Sequence, residues 1–238
     1  MKHWILAASL FLAACQTTQA PPVTLKSIRD ISGLVGEVPK PRNVQLLASQ
    51  FRNMAFSDEL GKYTDYVVKW DASKQIGVCL DRSMRRTHTE KLADAERLLT
   101  EITGLRFDGS GCDVSVIRSN APRQSDSVGY CYADTTLFIE TGIIFEAKVY
   151  IPDHQALDGD CLIEELAQML GLAADSSLVT ASLFQENDQL RTVKTLTYSD
   201  AVQLRTLYDP RIRPRMPKAE TVRIVPVIIA EHLAELNR

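Results

Sequence analysis

Histidine is scarce in this sequence. There are four in 238 residues, His3, His88, His154 and His232, and no two share the spacing that sets imidazoles on adjacent turns of one helix to hold zinc. His154, in the run IPDHQALDGDC, is one ligand at most, and a single His does not make a metal site. A Gly-x-Ser-x-Gly elbow with a following Asp and His is also missing, which argues against a serine hydrolase. So are a Gly-rich dinucleotide fingerprint and a P-loop, and there is no internal repeat. The apolar run from Trp4 to Leu12 is too short to span a bilayer. The 27 Lys and Arg against 30 Asp and Glu form no basic stripe, so nucleic acid is not an expected partner. The one basic cluster, Arg82, Arg85, Arg86 and Lys91 around His88, reads as a solvated loop and helix start.

What the amino terminus does have is the layout of an export signal: Lys2 and His3, the apolar run, then Ala13, Ala14 and Cys15. Leu12 to Cys15 matches the bacterial lipobox, which implies cleavage of residues 1–14 and acylation of Cys15. Gln16 in the next position resembles outer-membrane sorting. The expected location is the cell envelope, lipid-anchored at the outer membrane and facing the periplasm. Residues 15–41, rich in Thr, Gln and Pro, read as a flexible tether whose Ile31, Leu34 and Val35 dock on the domain surface. An exported chain meets oxidising conditions, so Cys79, Cys112, Cys131 and Cys161 are expected to form disulfides, with every connectivity open.

Residues 42–238 read as one α+β domain. Helices are expected over Val44–Met54 and over Thr89–Thr103, where Leu92, Ala95, Leu98, Leu99 and Ile102 keep helical spacing before Gly104. Strands are expected over Gln75–Leu80, Asp113–Arg118, Leu137–Glu140 and Glu146–Ile151. If the first two are parallel neighbours, Cys79 ends one and Cys112 precedes the other. At ~3.3 Å per residue that exceeds the ~7 Å between Cα atoms that a bridge tolerates, which counts against a bridge between these two and leaves their pairing undecided. At the carboxy terminus Val222, Val225, Ile229, Leu233 and Leu236 suit a helical face that Pro226 would kink; a strand is the alternative.

The informative stretch is Cys161 to Asp175, CLIEELAQMLGLAAD. Leu162, Ile163, Leu166, Met169 and Leu170 share an apolar helical face, with Glu164, Glu165 and Gln168 opposite and Gly171 ending the helix. Glu164 and Gln168, four apart, stand one above the other with Glu165 beside them. That is the layout of HExxH, in which two His bind zinc and the Glu is general base. Gly171 adds the turn of the longer HExxHxxGxxH pattern. The general-base Glu and the Gly persist, whereas Glu164, Gln168 and Ala174 or Asp175 occupy the ligand positions. Oxygen ligands suit a hard cation better than zinc, and a helical Glu and Gln make a poor cage by themselves. Glu165 therefore either hydrogen-bonds a backbone or partner strand or is a solvated or paired surface residue.

Two resemblances follow. LTYSDAVQLRTLYDP, Leu196 to Pro210, resembles the closing helix of matrixin-type metzincins. AFSDEL at Ala55, Lys69-Trp70, LTEITGL at Leu99, CLIEELAQMLGL, SLFQEND at Ser182 and LYDPRIRPRM at Leu207 resemble a family of proteobacterial lipoproteins, domain of unknown function 2927, over roughly residues 44–236. Arg215 stands where that family's run implies Gly, and Ala174 where it implies Asn. The resemblance also implies a Cys131–Cys161 bridge pinning the helix start.

The fold class is thus α+β and zincin (metzincin)-like: a mixed sheet packed on helices that include a degenerate HExxH helix, followed by a mostly helical carboxy-terminal part. The expected function is binding or scaffolding in the envelope by a non-catalytic, metallopeptidase-like domain. Glu165 is a vestigial general base, Glu164, Gln168 and Asp175 are groove candidates, and no metal or other cofactor is implied. The partners are the lipid bilayer, through Cys15, and a peptide or envelope protein. An active peptidase with an unrecognised metal or nucleophile is the alternative, and a purely structural lipoprotein a third reading.

Overall fold

Strand β5 (Ile143–Pro152) is the one through which the sheet is assembled. In the computed structural model, which describes residues 25, 27–31, 35–36, 40–57, 64–119, 131–152, 159–186 and 192–238, β5 pairs with three others. On one side it is parallel first to β1 (Lys69–Trp70) and then to β3 (Val114–Ser119). On the other it is antiparallel to β4 (Tyr132–Phe138). Strand β2 (Val78–Leu80) extends the sheet beyond β3 in parallel. The result is a mixed, mainly parallel five-stranded sheet. Ile144, Ala147, Val149 and Ile151 of β5 are all buried, although a strict period of two would not give that set. A register shift opposite Thr136 and Leu137 inserts one extra β5 residue. The bulge restores the inward face for Ile144.

Five helices accompany the sheet among the described residues: α1 (Val44–Phe56), α2 (Arg85–Thr103), α3 (Gly159–Gln168), α4 (Tyr198–Tyr208) and α5 (Lys218–Leu236). Helix α3 packs against α2, β4 and β5, while α1 and α4 pack on α5. None of the described helices is long and apolar enough to cross a membrane. Ile28, Ile31 and Val35 are part of the buried core, so docking of the segment ahead of α1 reaches further into the domain than contact with its surface. Cys15, the signal sequence, His154 and the loop after Ser119 lie outside the described residues.

Several expectations need correction. Strand β4 is Tyr132–Phe138, and residues 139–142 are the hairpin turn. Its residues are only half-buried or exposed, so its own sequence carries little apolar signal and pairing with β5 defines it. Helix α2 begins at Arg85, which takes His88 out of a solvated loop and buries it fully. Arg82, Arg85 and Arg86 do remain exposed. Helix α5 continues through Pro226, ruling out the strand, but Val222 is 37% exposed and Thr221 and Ile228 complete the buried face instead.

The largest correction concerns the cysteines. Cys79 and Cys112 are bridged, with Cα atoms 5.2 Å apart, even though β2 and β3 are parallel as expected. Strand β2 starts at Val78, and the chain before β3 doubles back on it rather than running straight. Val114 N–H donates to the Gly77 carbonyl at 3.0 Å, and Gly109 N–H to the Ile76 carbonyl at 3.2 Å. A Cβ on Gly77 would collide with the Gly111 backbone. Only glycine permits that approach, which returns Cys112 to Cys79. Cys131 and Cys161 are also bridged, Cα atoms 6.0 Å apart, tying the chain just before β4 to the first turn of α3.

Candidate functional site

Helix α3 is amphipathic in sequence but buried on every side in the fold. Every residue from Cys161 to Leu170 is buried, including Glu164 at 8% exposure, Glu165 at 3% and Gln168 at 2%. The polar stripe therefore faces the interior, and the reading of Glu165 as a solvated surface residue does not hold. Burying carboxylates is costly unless they are partnered, so a stripe of this kind marks a specified environment. Gln168 Nε2 donates to Asp175 Oδ1 at 2.7 Å, joining the helix to the returning chain. Ala174, at the third ligand position of the longer pattern, is buried at 5% exposure.

The turn between Gln168 and Asp175 is built as the Gly implied. Gly171 N–H donates to the Gln168 carbonyl at 2.9 Å, and Gly171 has φ +117°, which favours glycine. A Cβ there would also run into the Val68 carbonyl. The chain end of α3 thus rests directly on the approach to β1.

Two neighbours then satisfy the carbonyls that a helix end leaves open. Trp70 Nε1 donates to the Met169 carbonyl at 3.1 Å, and the Tyr208 hydroxyl donates to the Leu170 carbonyl at 2.9 Å. The same hydroxyl accepts from Trp70 N–H at 3.2 Å. Burial pushes the Tyr208 phenol well above its usual range, so it stays a donor. Next to Trp70, the Lys69 ammonium donates to the Leu207 and Ile212 carbonyls at 2.8 and 2.7 Å and lies 4.9 Å from the Tyr208 ring centroid. Burial lowers its pKa to about 8, against the pull of Asp209 and Asp71.

A second buried polar cluster organises the loop after Asp175. Asp200 accepts from Ser182 Oγ at 2.5 Å, Leu183 N–H at 3.0 Å, and Thr197 N–H and Oγ1 at 2.8 and 2.9 Å. With Thr197 it forms the capping box of α4, which satisfies the first orphan donors of that helix. Burial raises the Asp200 carboxyl above its usual value, and these bonds oppose the shift. Ser182 in turn accepts from Gln50 Nε2 at 3.2 Å, and Gln203 Nε2 donates to Gln50 Oε1 at 2.9 Å. Sequence reading missed Gln50, Gln203 and the part played by Lys69. The signal for Lys69 was its place beside Trp70 in an otherwise apolar stretch, Tyr66 to Trp70.

Among the described residues no group of three or more His, Cys, Asp and Glu side chains converges to hold a metal ion. Burial lowers the pKa of His88, with Lys91 adding to the effect, and its Nδ1 lies 2.7 Å from Thr87 Oγ1. Burial likewise lowers that of His232 in α5, with Arg205 adding to it. Neither His lies on α3.

The comparisons with known proteins add one match. A family model described as "Protein of unknown function (DUF2927)" matches residues 45–227. No curated protein matches the chain.

Proposed function

The chain belongs to the DUF2927 family, and from that footing we propose that it is an envelope lipoprotein whose degenerate metzincin-like domain binds a partner without hydrolysing it. The anchor is Cys15, and the compartment is the periplasmic side of the outer membrane. The lipobox and the two disulfides support this reading, since such bridges persist in oxidising compartments. The metzincin likeness draws support from the chain order: an antiparallel edge strand, the strand beside it, then the helix with Glu165 and the turn at Gly171.

The observation that carries the non-catalytic reading is the bond from Gln168 to Asp175. In the zinc pattern the second ligand and the residues after the turn would meet through the metal; here an amide donor and a carboxylate meet each other. A donating amide N–H offers no lone pair to a cation. Glu165 without a Lewis acid lacks the charge stabilisation that metal-assisted peptide hydrolysis uses. The partner is a peptide or an envelope protein; of the groove candidates Asp175 is half-buried and is the contact we assign, held by the buried Gln168, while Glu164 lies in the interior. A second reading, a purely structural domain, gains support from the interior placement of Lys69, Trp70, Asp200 and Tyr208.

The test is a metal determination on protein purified without added metal, paired with digestion of a broad peptide library. We expect well under one zinc per chain and no turnover. One tightly held zinc, lost in Glu164→Ala, would overturn the reading, as would cleavage abolished by Glu165→Gln.

A further inference from the structure

We propose that the end of the domain bearing Arg29, Lys40, Arg42 and Arg238 is a surface for anionic lipid headgroups, turned toward the bilayer by the docked segment Ser27–Ile31. This rests on the lipid-anchor reading above. Helices α1 and α5 pack together and run antiparallel. The Lys218 ammonium lies 5.3 Å from the Phe56 ring centroid at one end, and Lys40 Nζ donates to the Leu236 carbonyl at 2.8 Å at the other. The segment ahead of α1 joins the second end. Ile28 N–H donates to Glu235 Oε1 at 3.2 Å, and Ile28 and Ile31 are fully buried.

Arg29, Lys40, Arg42 and Arg238 are all exposed, and the carboxylates beside them among the described residues are the exposed Asp30 and the half-buried Glu235. Each Lys or Arg held near an anionic leaflet adds to the attraction. The opposite end carries cations too, but Arg213 is paired with Glu220 and Arg215 and Lys218 lie over the Tyr66 and Phe56 rings. There the hairpin turn after β4 exposes Phe138 at 52% and Ile139 at 66%, and Arg215 holds it by donating to the Ile139 carbonyl.

Distance favours the basic end as the one that meets the bilayer. With 19 residues, α5 is ~28 Å long at ~1.5 Å per residue. Whatever path it takes, the chain from Cys15 to Leu25 spans no more than ~35 Å, at ~3.5 Å per residue. Placing the hairpin end on the bilayer would set Leu25 about one helix length (~28 Å) away and draw that connection nearly taut, whereas the basic end needs no such extension.

The test couples the mature chain through its Cys15 thiol to a maleimide lipid in vesicles, so that orientation is read whether or not cells acylate that residue. Acylation itself is read separately, by mass spectrometry of the protein extracted from cells. A photo-crosslinking side chain is placed at Arg238 or at Ile139, and lipid adducts are quantified. In vesicles containing phosphatidylglycerol we expect at least five-fold more adduct from position 238. The double variant Arg29→Glu, Arg42→Glu should bring the ratio toward one, as should uncharged phosphatidylcholine. A ratio at or below one in anionic vesicles would overturn the proposal, and so would a ratio indifferent to the charge reversals.

Discussion

The Trp70 indole donates to the Met169 carbonyl at 3.1 Å, so a residue of β1 closes the end of a helix that lies far along the chain. Trp70→Phe keeps most of the ring and removes the donor, and Tyr208→Phe removes the donor to Leu170 and the acceptor for Trp70 N–H. Each leaves a buried backbone group without its partner and should cost about 1–3 kcal/mol. Gly171→Ala should cost more, because it adds a Cβ both at φ +117° and against the Val68 carbonyl. Urea titration of the three variants checks the order.

The two disulfides close loops of similar size, with sequence separations of 33 and 30. Paired Ser replacement of either should cost about 3–4 kcal/mol by the chain-entropy estimate. The consequences should differ in place. Loss of Cys131–Cys161 should raise hydrogen exchange in the first turn of α3, and loss of Cys79–Cys112 should raise it around Gly77 and Val114. Non-reducing peptide mapping followed by exchange on each variant reads both points.

Arg215 has φ 59°, the conformation that explains why the family run implies Gly there. A non-glycine residue in that region costs about 1–2 kcal/mol, offset here by the guanidinium 4.8 Å from the Tyr66 ring centroid and by its bond to the Ile139 carbonyl. Arg215→Ala keeps the strain and loses the contacts, so it should destabilise by about 1 kcal/mol. Arg215→Gly loses the contacts and the strain together and should fall close to the parent. Thermal unfolding that ranks Gly below Ala would contradict this account.

Glu235 titrates below its ordinary 4.5: desolvation raises its pKa, but bonds from Ser27 and Ile28, with the charges of Arg205 and His232, outweigh it. A carboxyl depressed in the folded state adds stability that is present above its unfolded pKa and lost as pH falls through the folded one. Undocking of Ser27–Ile31 should therefore set in below about pH 4.5. Hydrogen exchange at Ile28 from pH 6 to pH 3 should show it, and Glu235→Gln should flatten the profile.

The sequence by itself determined the features that local rules encode. Helical spacing placed α2 and α3, and a Gly three residues past Gln168 placed the turn. A parallel β2 and β3 also followed from the helix between two strands.

The tertiary structure decided what distant segments do to those elements. Glu165 stayed open between a hydrogen-bonded and a solvated position because a 3.6-residue period reports only which residues share a face, and whether that face meets solvent depends on what packs over it. Strand β4 had little apolar alternation to read, since its pairing with β5 supplies its order. Cys79 and Cys112 meet because Gly77 and Gly109 lack the Cβ atoms that would keep two backbones apart, an approach no spacing rule anticipates. Lys69, Trp70 and Tyr208 stood out as sequence motifs, but only the fold brings the indole and the phenol to the open carbonyls at the end of α3, and Lys69 to those of Leu207 and Ile212. Buried backbone acceptors have to find donors, and the donors come from wherever the chain returns.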